Sequence, residues 1–234
     1  MNAFLIGDRA PVLVDTGLPT EREDFLERLW SLVEPEELTC VFLTHEDHDH
    51  AGNLLAVLDA APRARLVANY VTVSKLLEAW TLPLDRVVVV NPGQRVPGID
   101  RPLVALRPPA YDSPGTLGLH DGGTGAVLTV DAFGTYLPEV AERLEDVPEE
   151  DALAGLLDFN RVNHPWTVIA DPDRFGASIA SVAGLEPTVL LSSHGLPATE
   201  RTPALLDAMA RLPTMQPYVP PDQDRFEDLK PEMG

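Results

Sequence analysis

The sequence predicts a layered α/β sandwich in which helices cover sheets, and three observations support this fold class. Runs typical of β-strands alternate with helical runs along most of the chain. Of the 234 residues, 44% are hydrophobic, which is enough to build a core and excludes a disordered chain. Clusters of polar residues directly follow several strand-like runs, where loops from different strands can converge on one site.

The predicted elements fall into two parts. Up to residue 131, strands are predicted at residues 3–6 and 11–15, linked by residues 7–9, and at 41–44, 64–68, 86–90, 103–106 and 125–131, with helices at 20–33, 54–58 and 71–80. Beyond it, helices are predicted at 149–168, with a break near Pro165, at 174–183 and at 203–212, with a strand at 188–192. We expect residues 1–212 to form one domain and the Pro-rich, charged residues 213–234 to trail along its surface as a tail.

Acidic residues dominate the chain, with 37 Asp and Glu against 17 Lys and Arg and a net charge of −20. This charge repels nucleic acids and anionic lipids, so we expect no nucleic-acid partner, no nuclease activity and no electrostatic attachment to membranes. The single cysteine, Cys40, cannot form an internal disulfide. No signal peptide and no apolar run near the ~20 residues of a membrane span is visible, so the expected location is the cytoplasm.

A dense polar cluster at residues 44–53 carries the chemistry. It follows the buried-type strand at 41–44 and contains three histidines and two aspartates at alternating spacing. Alternate residues of an extended segment point to the same side, so His45, Asp47 and Asp49 would share one face and His50 could join them at the turn before Gly52. Imidazole and carboxylate are the usual ligands of zinc, iron and manganese. The cluster therefore predicts a metal site.

The pattern His45-x-Asp47-x-Asp49-His50-x-Gly52 resembles the metal-binding signature of the metallo-β-lactamase superfamily, nearest to the His-x-Glu-x-Asp-His form of the oxygen-binding di-iron protein and di-iron flavoprotein branch. Four other segments resemble family landmarks in the right order: Val-Asp-Thr-Gly at 14–17, the turn at 111–116, Val-Asp-Ala-Phe-Gly at 130–134 and Ser-Ser-His-Gly at 192–195. The resemblance covers about residues 1–212. It implies an αββα four-layer sandwich, with two sheets inside and helices outside.

The resemblance also implies a set of metal ligands. One metal ion would take His45, Asp47 and Asp112, a second would take Asp49, His50 and His194, and Asp131 would bridge the two. Two of these positions depart from the family pattern, because Asp47 stands where relatives have His or Glu and Asp112 where they have His. Both departures fall on the same metal ion. Two alternatives therefore stay open: this metal position is only partly occupied, or His48 serves as a substitute ligand.

The carboxylate content of the predicted set favours iron. Four aspartates neutralise the charge of two divalent ions, whereas a typical zinc hydrolase of the superfamily has two aspartates. A neutral cluster acidifies bound water less, stabilises a trivalent state, and its hard oxygen donors shift the preference toward iron, with zinc or manganese as the alternatives. We therefore predict an O₂-reactive di-iron oxidoreductase. Two alternatives stay open: a metal-dependent hydrolase of a thioester, lactone or other ester, and a non-catalytic module that binds or senses O₂.

The predicted partners are a small-molecule substrate or O₂. Di-iron flavoproteins carry a flavodoxin domain after the metal domain, and this chain ends about where that domain would begin, so we expect electrons from a separate donor protein or from the substrate. A homodimer is left open. Beside the bridging Asp131, the catalytic candidates are Tyr111, as a hydrogen-bond donor next to Asp112, and His164, on a polar and aromatic helical face that lines the pocket or simply ends the helix.

Overall fold

Two β-sheets form the inside of the molecule in this computed structural model, which describes residues 1–7 and 9–230. Within these residues, the first sheet has the strand order β1-β2-β3-β4-β5, and the second has β6-β7-β8-β9. The strands of the first sheet are Phe4–Ile6, Val12–Val14, Cys40–Phe42, Arg65–Ala68 and Val87–Val89. Those of the second are Leu103–Leu106, Gly118–Asp121, Ala126–Val130 and Val189–Ser192. Strands β2 to β5 run parallel, as do β8 and β9.

Helices cover the outer faces of both sheets. The helices that follow strands of the first sheet are α1 to α4, at Arg22–Leu32, His48–Ala51, Leu54–Ala60 and Tyr70–Leu77. Those associated with the second sheet are α5 to α7, at Glu149–Asn163, Pro172–Ala183 and Thr202–Met209, followed by α8 at Gln223–Leu229. The protein therefore has the αββα four-layer sandwich that the sequence predicted.

Side chains that alternate between the two faces of each strand build three apolar layers. In β2 and β3, Val12, Val14, Cys40 and Phe42 face the second sheet, and Leu13 and Val41 face the helices. A third cluster joins the second sheet to α5, α6 and α7 through residues such as Leu156, Phe175 and Leu205. All of these side chains are buried, so the central strands are shielded from water on both faces.

Most predicted elements agree with the structure to within a few residues, including the break after α5, where a 3-10 turn begins at Pro165. The strand β7 was not predicted, because its four residues include Gly118 and His120, which are poor β-formers, and it ends in a glycine turn. The tail contains the exposed helix α8, which the Pro-rich composition concealed. Asp8 of the predicted link at 7–9 and residues 231–234 of the tail lie outside the described residues.

Within the described residues, no helix combines the length and the apolar character needed to cross a membrane.

Candidate metal centre

The predicted ligands lie on four loops that meet at one edge of the sandwich. The segment with His45 follows β3, and Asp131 comes directly after β8. His194 lies two residues after β9, and Asp112 lies in the long loop between β6 and β7. The site therefore takes residues from both sheets, at the ends of strands, as the position of the polar clusters predicted.

The segment at 45–50 departs from the extended conformation that the alternation predicted. It is extended at Asp47, with φ −63° and ψ 150°, and then becomes the single helical turn α2. The turn brings both Asp49 and His50 into the cluster. Adjacent side chains of a helix differ by only about 100° around the helix axis, whereas those of an extended chain point to opposite sides. His48 is exposed and belongs to none of the candidate metal groups among the described residues.

The side chains form two groups around Asp131. In the first, Nε2 of His45 lies 3.7 Å from Oδ2 of Asp47 and 3.8 Å from Oδ1 of Asp112. In the second, Oδ2 of Asp49 lies 3.1 Å from Nε2 of His194 and 3.5 Å from Nε2 of His50.

Asp131 lies between these groups. Its Oδ2 is 3.4 Å from Nε2 of His45, and its Oδ1 is 3.1 Å from Nε2 of His50 and 3.2 Å from Nε2 of His194. The structure thus brings together all seven predicted ligands, in the same two groups that the resemblance implied. Their role as ligands stays a prediction.

The unpaired atoms of the cluster fit two metal ions. Nε2 of His45, Nε2 of His50 and Oδ1 of Asp131 are buried and have no hydrogen-bond partner among the described residues, although polar atoms lie close by. Atoms that share a metal ion about 2.1 Å away stand roughly 3.0–3.4 Å apart. The shorter separations within the cluster match this range, and those around Asp47 and Asp112 are slightly longer.

A buried carboxylate orients His50. Nδ1 of His50 donates to Oδ2 of Asp15 at 2.8 Å, which turns Nε2 toward the cluster. Asp15 also accepts hydrogen bonds from the backbone N–H and the hydroxyl of Thr44, both at 2.9 Å. Asp15 therefore ties the segment after β2 to the segment after β3 and also fixes a candidate ligand.

The pKa values of the cluster reflect burial opposed by close charges. Burial raises the pKa of Asp131, but the close rings of His194 and His50 lower the pKa well below the ordinary value. Burial lowers the pKa of His50, but Asp15 and Asp131 raise the pKa well above the usual 6.5. Asp112 has a raised pKa, because of burial and the nearby carboxylates of Asp131 and Asp47. The acids of the cluster thus crowd together and favour a cation among them.

Glu46 connects two of the ligand loops, a role that the sequence did not suggest. Its Oε1 accepts a hydrogen bond from the hydroxyl of Ser113 at 2.8 Å and forms an ion pair with Lys75. Thr72 donates to its Oε2 at 3.3 Å. Since Glu46 lies between His45 and Asp47, and Ser113 follows Asp112, this carboxylate fixes the two sides of one ligand group relative to each other.

Two asparagines position the loops of the second sheet. The amide of Asn2 donates to the carbonyls of Ser192 and Gly195 at 3.1 and 2.6 Å, which holds the loop of His194. Asn160 accepts from the backbone N–H of Phe133 at 3.3 Å and donates to the carbonyl of Gly134 at 3.1 Å, next to Asp131. The polar face predicted on α5 is therefore real, but Asn160 uses it to hold backbone.

Backbone strain concentrates around the centre. Among the described non-glycine residues, a positive φ occurs at Asp15, Val130, Phe133 and Glu186, and the first three flank candidate ligands. The left-handed region is unfavourable for a β-branched residue, and such strain costs on the order of 1–3 kcal/mol per residue. At Val130 the strain coincides with a register shift between β8 and β9, directly before Asp131.

Tyr111 and His164 differ in their relation to the cluster. The Tyr111 ring lies under the Arg107 guanidinium, 4.9 Å from it, and 5.6 Å from the Trp166 ring. No ring contact joins it to a clustered histidine among the described residues. His164 is buried at the end of α5. The catalytic roles of both residues stay predictions.

Phe159 is a neighbour of the centre that the sequence did not single out. Its ring lies 5.3 Å from the His194 ring and 5.2 Å from the Tyr136 ring. A Cβ atom at Gly134 would lie 2.2 Å from Cε1 of Phe159, so glycine is required for this approach. Phe133, which also follows Asp131, is buried in the core.

Comparison with known proteins agrees with this geometry. A family model described as the metallo-beta-lactamase superfamily matches residues 2–194. Diflavin flavoprotein A 1 of Thermosynechococcus vestitus is 32% identical over 135 residues, which are 58% of this chain and 24% of the relative. A nitric oxide reductase of Moorella thermoacetica is 25% identical over 136 residues, which are 58% of this chain and 34% of the relative. The matched part is thus about a quarter to a third of these curated relatives.

Solved structures share the fold. The rubredoxin oxygen:oxidoreductase of Desulfovibrio gigas superposes with a TM-score of 0.78 at 15% identity, over 93% of this chain and 54% of that one. A flavo di-iron protein variant from Thermotoga maritima gives a TM-score of 0.76 at 22% identity, over 89% of this chain and 51% of that one.

Proposed function

Because the chain belongs to the metallo-β-lactamase superfamily, we propose that its ligand cluster holds two iron ions and that the protein is an oxidoreductase that reduces O₂ or a similarly small molecule. The observation that carries the proposal is the donor set: three histidines and four aspartates, with the buried Asp131 at its middle. Hard carboxylate oxygens favour iron over zinc and offset the charge of an oxidised pair. The names of the relatives, diflavin flavoprotein and nitric oxide reductase, support the same reaction class.

The residues of the cluster have different roles in this proposal. His45, Asp47 and Asp112 would hold one ion, Asp49, His50 and His194 the other, and Asp131 would contact both. When bound, the metal pair supplies the electrons and the Lewis acidity for the reaction. Asp15 accepts the Nδ1 proton of His50, so Nε2 is the nitrogen that would bind metal, and Glu46 keeps the Asp112 turn against the loop of His45. Burial of His45, His50 and Asp131 excludes water from the inner side of the cluster.

Electrons must reach the centre from outside the cluster, because its ligand side chains have no redox chemistry of their own. We propose a separate donor protein as the source, with a chemical reductant as its substitute in the laboratory. Asp47 and Asp112 are the most exposed of the ligands, with exposed side-chain fractions of 52% and 32%, so a small molecule would enter on their side.

Metal analysis combined with an oxygen assay tests this function. Protein purified without added metal should contain about two iron ions per chain, and the anaerobically reduced form should consume O₂ while its visible absorption recovers. An Asp131→Asn variant should lose both properties, and an Asp100→Asn variant, changed at an exposed acid far along the chain, should keep them. Two zinc ions with no response to O₂ would contradict the proposal, and turnover of a thioester or lactone by that zinc form would establish the hydrolase alternative.

A further inference from the structure

His164 is a buried histidine without any hydrogen bond from its ring. It has 0% exposure, and neither Nδ1 nor Nε2 has a hydrogen-bond partner among the described residues. Buried polar atoms are nearly always paired, because an unpaired one loses its hydration without compensation. A buried imidazole with both nitrogens unpaired therefore indicates a partner that is not part of the chain.

The backbone around His164 is tied to two of the ligand loops of the second sheet. One turn earlier on α5, Asn160 bonds to the backbone of Phe133 and Gly134, which follow Asp131. Two residues later, the indole N–H of Trp166 donates to the carbonyl of Tyr111 at 2.8 Å, directly before Asp112. His164 thus lies on a segment that is hydrogen-bonded on one side to the loop of Asp131 and on the other to the loop of Asp112.

The burial of the ring keeps it neutral. Burial lowers the pKa of His164 to about 4, opposed by the Asp131 charge and by the carbonyl of Asn160, and His45 lowers it further. A neutral imidazole offers one N–H donor and one lone pair. His164 belongs to none of the candidate metal groups among the described residues, so it is placed beside the cluster, not within it.

We propose that His164 donates a hydrogen bond to the small molecule held at the centre, and that this molecule is one with an acceptor atom beyond the atom bound to metal. Dioxygen, nitric oxide and azide belong to this class, whereas a single-atom ligand such as a halide does not. This role rests on the proposed function in one respect, because it requires that the centre holds metal. By donating this hydrogen bond, the neutral His164 ring would select ligands by their shape and their acceptor atoms.

Azide binding to the metal-loaded full-length protein tests the proposal by calorimetry. Replacing His164 with Leu should weaken azide binding about tenfold, as expected when a hydrogen bond to a charged ligand is lost, whereas chloride binding should not change. His164→Gln, which restores an amide N–H, should recover part of the azide affinity. Asn163→Leu is the matched control, because the amide of Asn163 already donates to the carbonyl of Phe159, and azide binding should not change.

Two further measurements separate this role from a structural one. The metal-free His164→Leu protein should melt at the same or a higher temperature than the parent, because no intramolecular hydrogen bond is lost. Unchanged azide affinity in His164→Leu would overturn the proposal, and so would loss of a metal ion from that variant, which would make the ring a ligand. Iron content and O₂ consumption of the parent test the proposed function separately, because azide also binds a centre loaded with zinc or cobalt.

Discussion

Nδ1 of His50 lies 2.8 Å from Oδ2 of Asp15, across 35 positions of sequence, and both side chains are fully buried. Asp15 has a φ of 61°, a conformation that Asp and Asn adopt more readily than other non-glycine residues. The strained backbone thus directs a carboxylate that fixes the orientation of the ring of a predicted metal ligand.

Asp15→Asn should lower the affinity for metal by about 10–100-fold, because the amide orients the His50 ring less firmly and no longer raises its basicity. Asn tolerates the same φ, so the fold should survive. A competition titration against a metal-binding dye measures the affinity, and circular dichroism checks the fold. Asp59→Asn, on the outer helix α3, serves as the control. Equal affinities in both variants would show that Asp15 acts only on the backbone.

Asp112→Ala should reduce the metal content from two ions to about one, since only the group of His45, Asp47 and Asp112 loses a ligand. Asp112→His should keep two ions, because imidazole is also a common metal ligand. Elemental analysis after dialysis gives the stoichiometry. Two tightly held ions in the Ala variant would mean that this turn does not supply a ligand.

Gly134→Ala should destabilise the protein by roughly 1–3 kcal/mol, because the added Cβ would meet the Phe159 ring. Combining it with Phe159→Leu should recover part of this loss, because the two changes share one contact. Urea unfolding measures both effects. Gly176→Ala, in α6 with nothing within 4 Å of the new Cβ, should instead stabilise the protein by about 0.5–1 kcal/mol. Equal effects of the two substitutions would contradict the close contact.

Asp121 should make the free energy of unfolding depend on pH. It pairs with Ala126 at the start of β8, at the opposite end of that strand from Asp131. Burial raises its pKa, but hydrogen bonds from Arg101, Thr124 and the Gly123 backbone lower it to about 2. A carboxyl group with a lowered folded-state pKa stabilises the protein above the unfolded value near 4, and this stability is lost as the pH falls toward 2.

Between pH 6 and pH 3 the metal-free parent should therefore lose about 1 kcal/mol more stability than Asp121→Asn. Urea unfolding at the two pH values gives this difference directly. Asp100→Asn, at an exposed position in the loop before β6, should show the same pH dependence as the parent. If Asp121→Asn also shows that dependence, the Arg101 contact does not hold the carboxyl ionised.

The residues that the sequence predicted as ligands come together in the structure, because they are close together along the chain or lie at strand ends. His45 and Asp49 follow one strand, and the acid after β8 is apparent from the apolar run that precedes it. The sequence predicted the conformation of the loop less well, because alternation assumes an extended chain and cannot anticipate that α2 begins at His48.

The residues that hold the ligands were harder to predict from sequence. Asn2, Glu46 and Phe159 act through partners that are distant along the chain, and no local pattern distinguishes them from surface residues. The tertiary fold alone brings them to the centre. A signal was present for Glu46, which lies between two candidate ligands, but ligand spacing directs attention to its neighbours.

The origin of the ligands in two separate sheets has a consequence for assembly. His45 and His50 belong to the part of the chain around β3, whereas Asp131 and His194 follow strands of the other sheet. A metal pair would cross-link segments separated by roughly 80–150 residues, and closing such long loops restricts mainly the unfolded chain. Bound metal would therefore stabilise the packing of the two sheets against each other. The last ligand, His194, follows the final strand, so a newly made chain could capture its full complement of metal only after both sheets had formed.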